Sequence, residues 1–183
     1  EYYFETESRS PRIIDCGAHF GLAIYYWQTL YPGARITSFE PVDFLYQIAR
    51  DNVVKNGFSD AEVLPYALSD ESGEATFYLS REDSMAGSLT ARRKDSGDTV
   101  SEISVECRQL SEYLDEPVHL LKLDVEGSED RVLQEAASKL ENVQHIFCEY
   151  HHGHGLPTNR LAEILALLDQ KGFDVHVAKS SEY

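Results

Sequence analysis

A mostly parallel, doubly wound α/β sheet with an antiparallel hairpin insertion is the fold this sequence predicts, on three observations. Strand-like apolar runs alternate with helical periodicity up to residue 68, and again after residue 117. The most apolar of these runs, Val118–Val125 (VHLLKLDV), is nearly continuous, as a central strand covered on both faces must be. Between the two halves the rhythm gives way to alternating segments and polar loop, as an insertion into a parallel sheet reads. With 183 residues, 42% of them hydrophobic, the chain suits a single domain over 1–183. Residues 1–11 are then an N-terminal stub, and 70–110 the inserted hairpin and loop.

The first strand runs through Ile13 and Ile14 into Asp15, and Gly17 and Gly21 open the helix that follows. Glycines there let the backbone pass close to a ligand, and the helix N-terminus presents free N–H groups above the turn. LAIYYWQTLYPG, starting at Leu22, is apolar on every side, so a largely buried helix stopped by Pro32-Gly33 is expected. Arg35–Glu40 is a second strand. Val42–Asn56 carries helical periodicity through Phe44, Leu45, Ile48, Ala49 and Val53, and Asn56-Gly57 caps it. Glu62–Leu68 is a third strand, in which Pro65 signals an edge or a bend.

Ser69–Gly73 is a turn, and Ala75–Ser80 and Ile103–Leu110 alternate as the antiparallel insertion. Ser88-Leu89, in the long polar stretch between them, could approach a ligand, with plain surface loop the favoured reading. Parallel order resumes with Val118–Val125, a helix over Ser128–Leu140 and a second buried strand over Val143–Tyr150. That strand empties into His151, His152 and His154. Thr158–Lys171 is an amphipathic helix with Thr158 or Asn159 at its start and Gly172 at its end, and Phe173–Ala178 is a last short strand.

With 32 acidic against 16 basic residues and a net charge of −16, the chain lacks the basic stripe that a nucleic-acid backbone requires. Arg92-Arg93-Lys94, the nearest candidate, reads as a solvated loop. No apolar run approaches the ~20 residues of a membrane span, and EYYFETESRSP has no signal-peptide character. Cys16, Cys107 and Cys148 are scattered and form no C-x-x-C pair, so they read as buried thiols of a reducing, cytoplasmic compartment.

In an open α/β sheet, ligands bind outside the carboxyl ends of the strands, and here nearly every strand delivers an ionisable group to that edge. A dinucleotide fingerprint G-x-G-x-x-G aligned on Gly17 would place its glycines at Asp15, Gly17 and Phe20, so two of the three are missing. The arrangement is instead D-x-G-x-x-x-G, ending at Gly21. Its carboxylate would repel a pyrophosphate and suits a cofactor with a cationic amino-acid tail, S-adenosylmethionine being the common one. Glu40, closing the second strand, is placed to bridge two ribose hydroxyls, and Tyr66, Ala67 and Leu68 to lie along the adenine. Asp124, Glu126 and the histidines stand on the acceptor's side, where methyl transfer to a hydroxyl needs a base poised near neutrality. His151, His152 and His154 are candidates in that order of reach. The same carboxylates and histidines could hold Mg²⁺ or another divalent ion, although no spacing demands a metal.

IIDCGAHFG, SFEPVDFLYQIARDNVVKNG, YALSDESGEATFY, LLKLDVEGSEDRVL and CEYHH, in that order and spacing, resemble the FkbM family of S-adenosylmethionine-dependent methyltransferases. The resemblance runs from about Ile13 to His152 and is most specific in FEP and KLDVEGSE. It implies a Rossmann-like class I methyltransferase fold and methylation of a hydroxyl on a small molecule, sugar or glycolipid. It carries Asp15, Gly17, Gly21 and Glu40 over as cofactor contacts, with Ala18, His19, Pro41, Ala67 and Leu68 beside them. His19 departs from the family, which usually has asparagine there. Asp124 and Glu126 match the second acidic motif, and with His151 and His152 they make the expected catalytic set. The rival readings are a cofactor-binding assembly domain without catalysis and an NAD(P)-dependent oxidoreductase.

Overall fold

Five strands form the central sheet in the order β3-β2-β1-β8-β9, all parallel, as an α/β crossover architecture requires. They are β1 (Arg12–Cys16), β2 (Arg35–Phe39), β3 (Ala61–Leu64), β8 (Val118–Leu123) and β9 (Val143–Cys148). The structure, a computed structural model, describes residues 2–80, 87–89, 100–151 and 160–178. β1 and β8 are central, and Ile13, Ile14, Cys16, Leu121 and Leu123 are fully enclosed. One face is covered by α1 (Leu22–Leu30) and α2 (Asp43–Lys55), through Ile24, Trp27, Ala49 and Val53. The other is covered by α3 (Glu129–Glu135), the 3-10 turn after it and α4 (Arg160–Gln170), through Val132, Leu133, Leu140, Ile164 and Leu168. The predicted doubly wound sheet is thus present.

The insertion forms a sheet of its own, ordered β4-β7-β5-β6, from β4 (Ala67–Ser69), β5 (Gly73–Ser80), β6 (Gly87–Ser88) and β7 (Val100–Gln109). β5 and β7 pair antiparallel from Gly73 opposite Cys107 to Ser80 opposite Val100, the expected hairpin. Phe77, Val105 and Cys107 turn one face of this sheet onto Val42 and Leu45 at the start of α2.

Several elements differ from expectation. The third strand is not continuous over Glu62–Leu68. The chain bends at Pro65, leaving β3 at the edge of the first sheet and sending Ala67–Ser69 into the second, because proline cannot continue a ladder. α1 is only half-buried: Ile24, Trp27 and Gln28 face the sheet, while Leu22 is 73% and Tyr25 54% exposed. β9 is an edge strand with Gln144 and His145 exposed, not a second buried strand. Phe173–Ala178 forms no strand. Gly172, at φ 84, closes α4 with the Phe173 amide on the Leu168 carbonyl, after which Val175 and Val177 stand exposed with no strand beside them among the described residues. The expected stub also packs: Phe4 is buried, and the Tyr2 carbonyl accepts the Trp27 indole N–H at 3.1 Å. Arg92-Arg93-Lys94, His152, His154 and the start of the helix at Thr158 or Asn159 lie outside the described residues.

Candidate functional site

The carboxyl ends of β1, β2 and β8 open onto a cavity of about 400 Å³, within the range of small-molecule sites. Its floor is the first turn. Gly17 leaves β1 at φ 103, the Gly17 and Ala18 amides both donate to the Phe39 carbonyl at 3.1 and 2.8 Å, and Gly21 (φ 82) caps α1. A Cβ on Gly17 would lie 2.2 Å from the Asp124 carbonyl oxygen, so this position accepts no side chain. Gly17, Ala18 and His19 line the cavity; Gly21 does not.

Glu40 also lines it, 5% exposed. Its Oε2 accepts the His19 amide at 2.8 Å and its Oε1 the Val42 amide at 3.0 Å, which holds the acid across the entrance to α2. Burial pushes its pKa up to about 7, against those two hydrogen bonds. His19 reaches this contact at φ 50, a strained backbone for a residue with a Cβ. Pro41, Tyr66, Ala67 and Leu68 complete this side of the wall.

Asp15 does not reach the cavity. It is fully buried, with Ser38 Oγ donating to Oδ2 at 3.0 Å. Its Oδ1 forms an ion pair with Lys122 Nζ at 3.3 Å in place of a well-aligned hydrogen bond. Burial raises its pKa, and Lys122 opposes that rise. Lys122 itself donates to the Gly17 carbonyl at 2.9 Å and pairs with Asp124 Oδ2 at 3.3 Å. Burial alone would lower the ammonium's pKa; Asp15 and Asp124 outweigh it and hold the group charged.

Opposite the turn, Asp124, Glu126 and His151 come together as expected. His151 Nε2 lies 3.6 Å from Glu126 Oε1 and 4.0 Å from Asp124 Oδ1, while Nδ1 is 3.0 Å from Glu129 Oε1. Glu129 is buried and also takes the Gly127 amide, so it fixes the ring with Nε2 facing the cavity. Burial works to lower the imidazole's pKa, but Glu129, Glu126 and Asp124 together raise it. Replacing Glu129 by glutamine is expected to lower the His151 pKa below its wild-type value, read from the imidazole resonances during an NMR titration. An unmoved titration would mean Glu129 does not govern the ring. Asp124, Glu126 and His151 each offer one ligand atom, all within 4.8 Å of one another, which is where a divalent ion could sit.

Sequence reasoning missed Lys122 and Glu129. A lysine inside an apolar strand and an acid opening a helix were the available signals. Of the two readings of Ser88-Leu89, surface loop gives way to approach to the site: Ser88 is fully buried with its hydroxyl on the Glu126 carbonyl, and Leu89 lines the cavity. The insertion thus walls the site. No helix among the described residues is long and apolar enough to cross a membrane.

The family model described as methyltransferase FkbM domain matches residues 15–175. Methyltransferase sdnD of Sordaria araneosa is 30% identical over 91% of this chain and 74% of its own length. The 31-O-demethyl-FK506 methyltransferase FkbM of Streptomyces tacrolimicus is 29% identical over 89% of this chain and 72% of its own. Among solved structures, methyltransferase FkbM from Methylobacillus flagellatus KT superposes with a TM-score of 0.64 at 16% identity, over 90% of this chain; the chain spans 38% of that protein. Precorrin-6y C5,15-methyltransferase from Geobacter metallireducens GS-15 superposes with a TM-score of 0.51 at 13% identity, over 92% of this chain and 67% of that one. At such identities the likeness is one of fold.

Proposed function

Because the chain belongs to the FkbM methyltransferase family, we propose that it uses S-adenosylmethionine to methylate a hydroxyl on a small molecule, sugar or glycolipid. The observation that carries this reading is the two-sided cavity, with Glu40 and the glycine turn on one side and a carboxylate-held histidine on the other. The 31-O position in the name of the Streptomyces relative supports an oxygen acceptor. The donor set fits a nucleoside without phosphates: Lys122 is the one lysine or arginine among the described residues lining the cavity, and Asp15, Asp124 and the Gly17 carbonyl already engage it. That counts against an NAD(P) pyrophosphate. The free thiols Cys16, Cys107 and Cys148 support a reducing, cytoplasmic setting.

When bound, S-adenosylmethionine supplies an electrophilic methyl group on a sulfonium centre. Each Glu40 oxygen takes one backbone N–H, which leaves lone pairs to accept ribose hydroxyls. Tyr66, Ala67 and Leu68 offer an apolar rim for the base. On the acceptor side, Glu129 accepts a hydrogen bond from His151 Nδ1–H, so that in the neutral ring Nε2 is the nitrogen that accepts the proton of the reacting hydroxyl. Glu126 and Asp124 stabilise the imidazolium that results.

The reading is tested by calorimetry and thermal unfolding with S-adenosylmethionine and S-adenosylhomocysteine. At about 100 times Kd the product should stabilise the fold by about 2.7 kcal/mol. A panel of macrolide, sugar and glycolipid alcohols with labelled methyl donor then separates an enzyme from a cofactor-binding assembly domain. Binding of NADH, seen by its fluorescence, with none of either adenosyl compound would overturn the proposal.

A further inference from the structure

We propose that Lys122 is a positioning residue that joins the donor's turn to the acceptor-side acid, and that Asp15 acts on the cofactor site through it rather than by contact. The inference rests on the methyl-transfer reading above. Ser38, Asp15 and Lys122 stand at one level on three adjacent parallel strands, because Asp15 is in register with Ser38 on β2 and with Lys122 on β8. Their side chains therefore meet in a row fixed by the sheet, with Ser38 and Asp15 below and Lys122 reaching the cavity lining. At its end the ammonium donates to the Gly17 carbonyl at 2.9 Å and forms ion pairs with Asp15 Oδ1 and Asp124 Oδ2, each at 3.3 Å.

Each contact fixes something different. The bond to the Gly17 carbonyl, at 2.9 Å, sets the plane of the peptide against which the donor must lie. The pair with Asp124 holds one carboxylate oxygen and leaves the other, Oδ1, toward His151 Nε2. Asp15, with no surface in the cavity, anchors the ammonium from below. Donor floor and acceptor acid are thereby held through a single nitrogen. In-line methyl transfer is sensitive to displacements of ~1 Å, so such a shared anchor has a catalytic consequence.

Replacing Lys122 by methionine alone would bury the Asp15 charge unpaired and unfold the protein for a trivial reason. The informative variant is the pair Asp15→Asn with Lys122→Met, which removes both charges and keeps the volumes. It should melt close to wild type yet bind S-adenosylhomocysteine at least tenfold more weakly by calorimetry. A second reading needs no variant: in lysine-selective ¹H–¹⁵N spectra of the wild-type chain, the Lys122 ammonium resonance should shift when S-adenosylhomocysteine saturates the site. An unmoved resonance, or a folded double variant with wild-type affinity, overturns the inference while the methyltransferase reading stands. A wild-type chain that binds neither adenosyl compound overturns both.

Discussion

Gly17→Ala is expected to cost the fold about 3–5 kcal/mol and to abolish S-adenosylhomocysteine binding. Two costs coincide at that position. The backbone sits at φ 103, where an L side chain is strained by about 1–2 kcal/mol. The added Cβ would also lie 2.2 Å from the Asp124 carbonyl oxygen and 3.3 Å from its carbon, and neither can retreat. The Asp124 amide is bonded to the Cys16 carbonyl at 3.0 Å, and β1 and β8 are in register up to Cys16 and Leu123. The turn itself would have to move, taking with it the Gly17 carbonyl that Lys122 holds. Gly21→Ala is the control. It also has a positive φ, 82, but its Cβ would meet only Ala49 and Ile24 at ordinary contact distances, the nearest at 3.5 Å. It should lose only the conformational share, about 1–2 kcal/mol. Urea unfolding of the two variants side by side gives the answer, and equal losses would refute the close-approach argument.

That contrast shows what could be read from the sequence. Gly17 was legible because an aspartate, a glycine and an apolar lead-in are local signals, and the turn they specify forms within one strand and one helix. Glu40 was legible for the same reason, as the acid that ends β2. Lys122 was not, because within VHLLKLDV it looks like any strand lysine. Its partners Asp15 and Gly17 lie more than 100 residues earlier, and only the strand order β2-β1-β8 brings them together. Glu129 belongs with it: an acid in the first turn of a helix is ordinary, and its role appears only when β9 delivers His151 to it.

Apolar pattern misled where it stood in for a neighbour. The residues of α1 are apolar all round, yet one sheet face can cover only one side of a helix, so Leu22 and Tyr25 remain outside. Val175 and Val177 alternate like strand residues, but alternation supplies no hydrogen-bonding partner. Pro65 announced a bend, while the second sheet that the chain enters after it depends on β7, some 40 residues further on. The burial of Ser88 is hidden in a polar stretch without periodicity, because its partner, the Glu126 carbonyl, belongs to the other half of the chain.

Glu40→Gln is expected to weaken S-adenosylhomocysteine binding by about 30- to 100-fold, the size of a lost charge-assisted hydrogen-bonding group. It should also remove two pH dependences that the wild type carries. The first is in binding. With its pKa pushed up to about 7 by burial, the acid is largely protonated at pH 6 and ionised at pH 8. If the ionised form accepts the ribose hydroxyls, affinity should rise about tenfold between those two values. The second is in stability, and its sign is opposite. An unfolded glutamate gives up its proton near the ordinary value of 4.5, whereas the folded one keeps it to about 7. Between those values the native state binds more protons, so stability falls as pH rises, by about 3 kcal/mol over the window. The carboxylate that binds the donor best is therefore the form the empty fold tolerates least, and ribose hydroxyls would relieve it. Glutamine has no such proton to lose. Its amide can accept at one position only, so either the His19 or the Val42 amide, both now bonded to Glu40, would face an NH₂ group. Calorimetry at pH 6 and 8, and urea midpoints at pH 5 and 8, would each be pH-dependent in the wild type; the difference between wild type and variant isolates Glu40 from the other buried acids, Asp15, Glu129 and Asp130. Identical pH profiles in both proteins would remove Glu40 from the ribose.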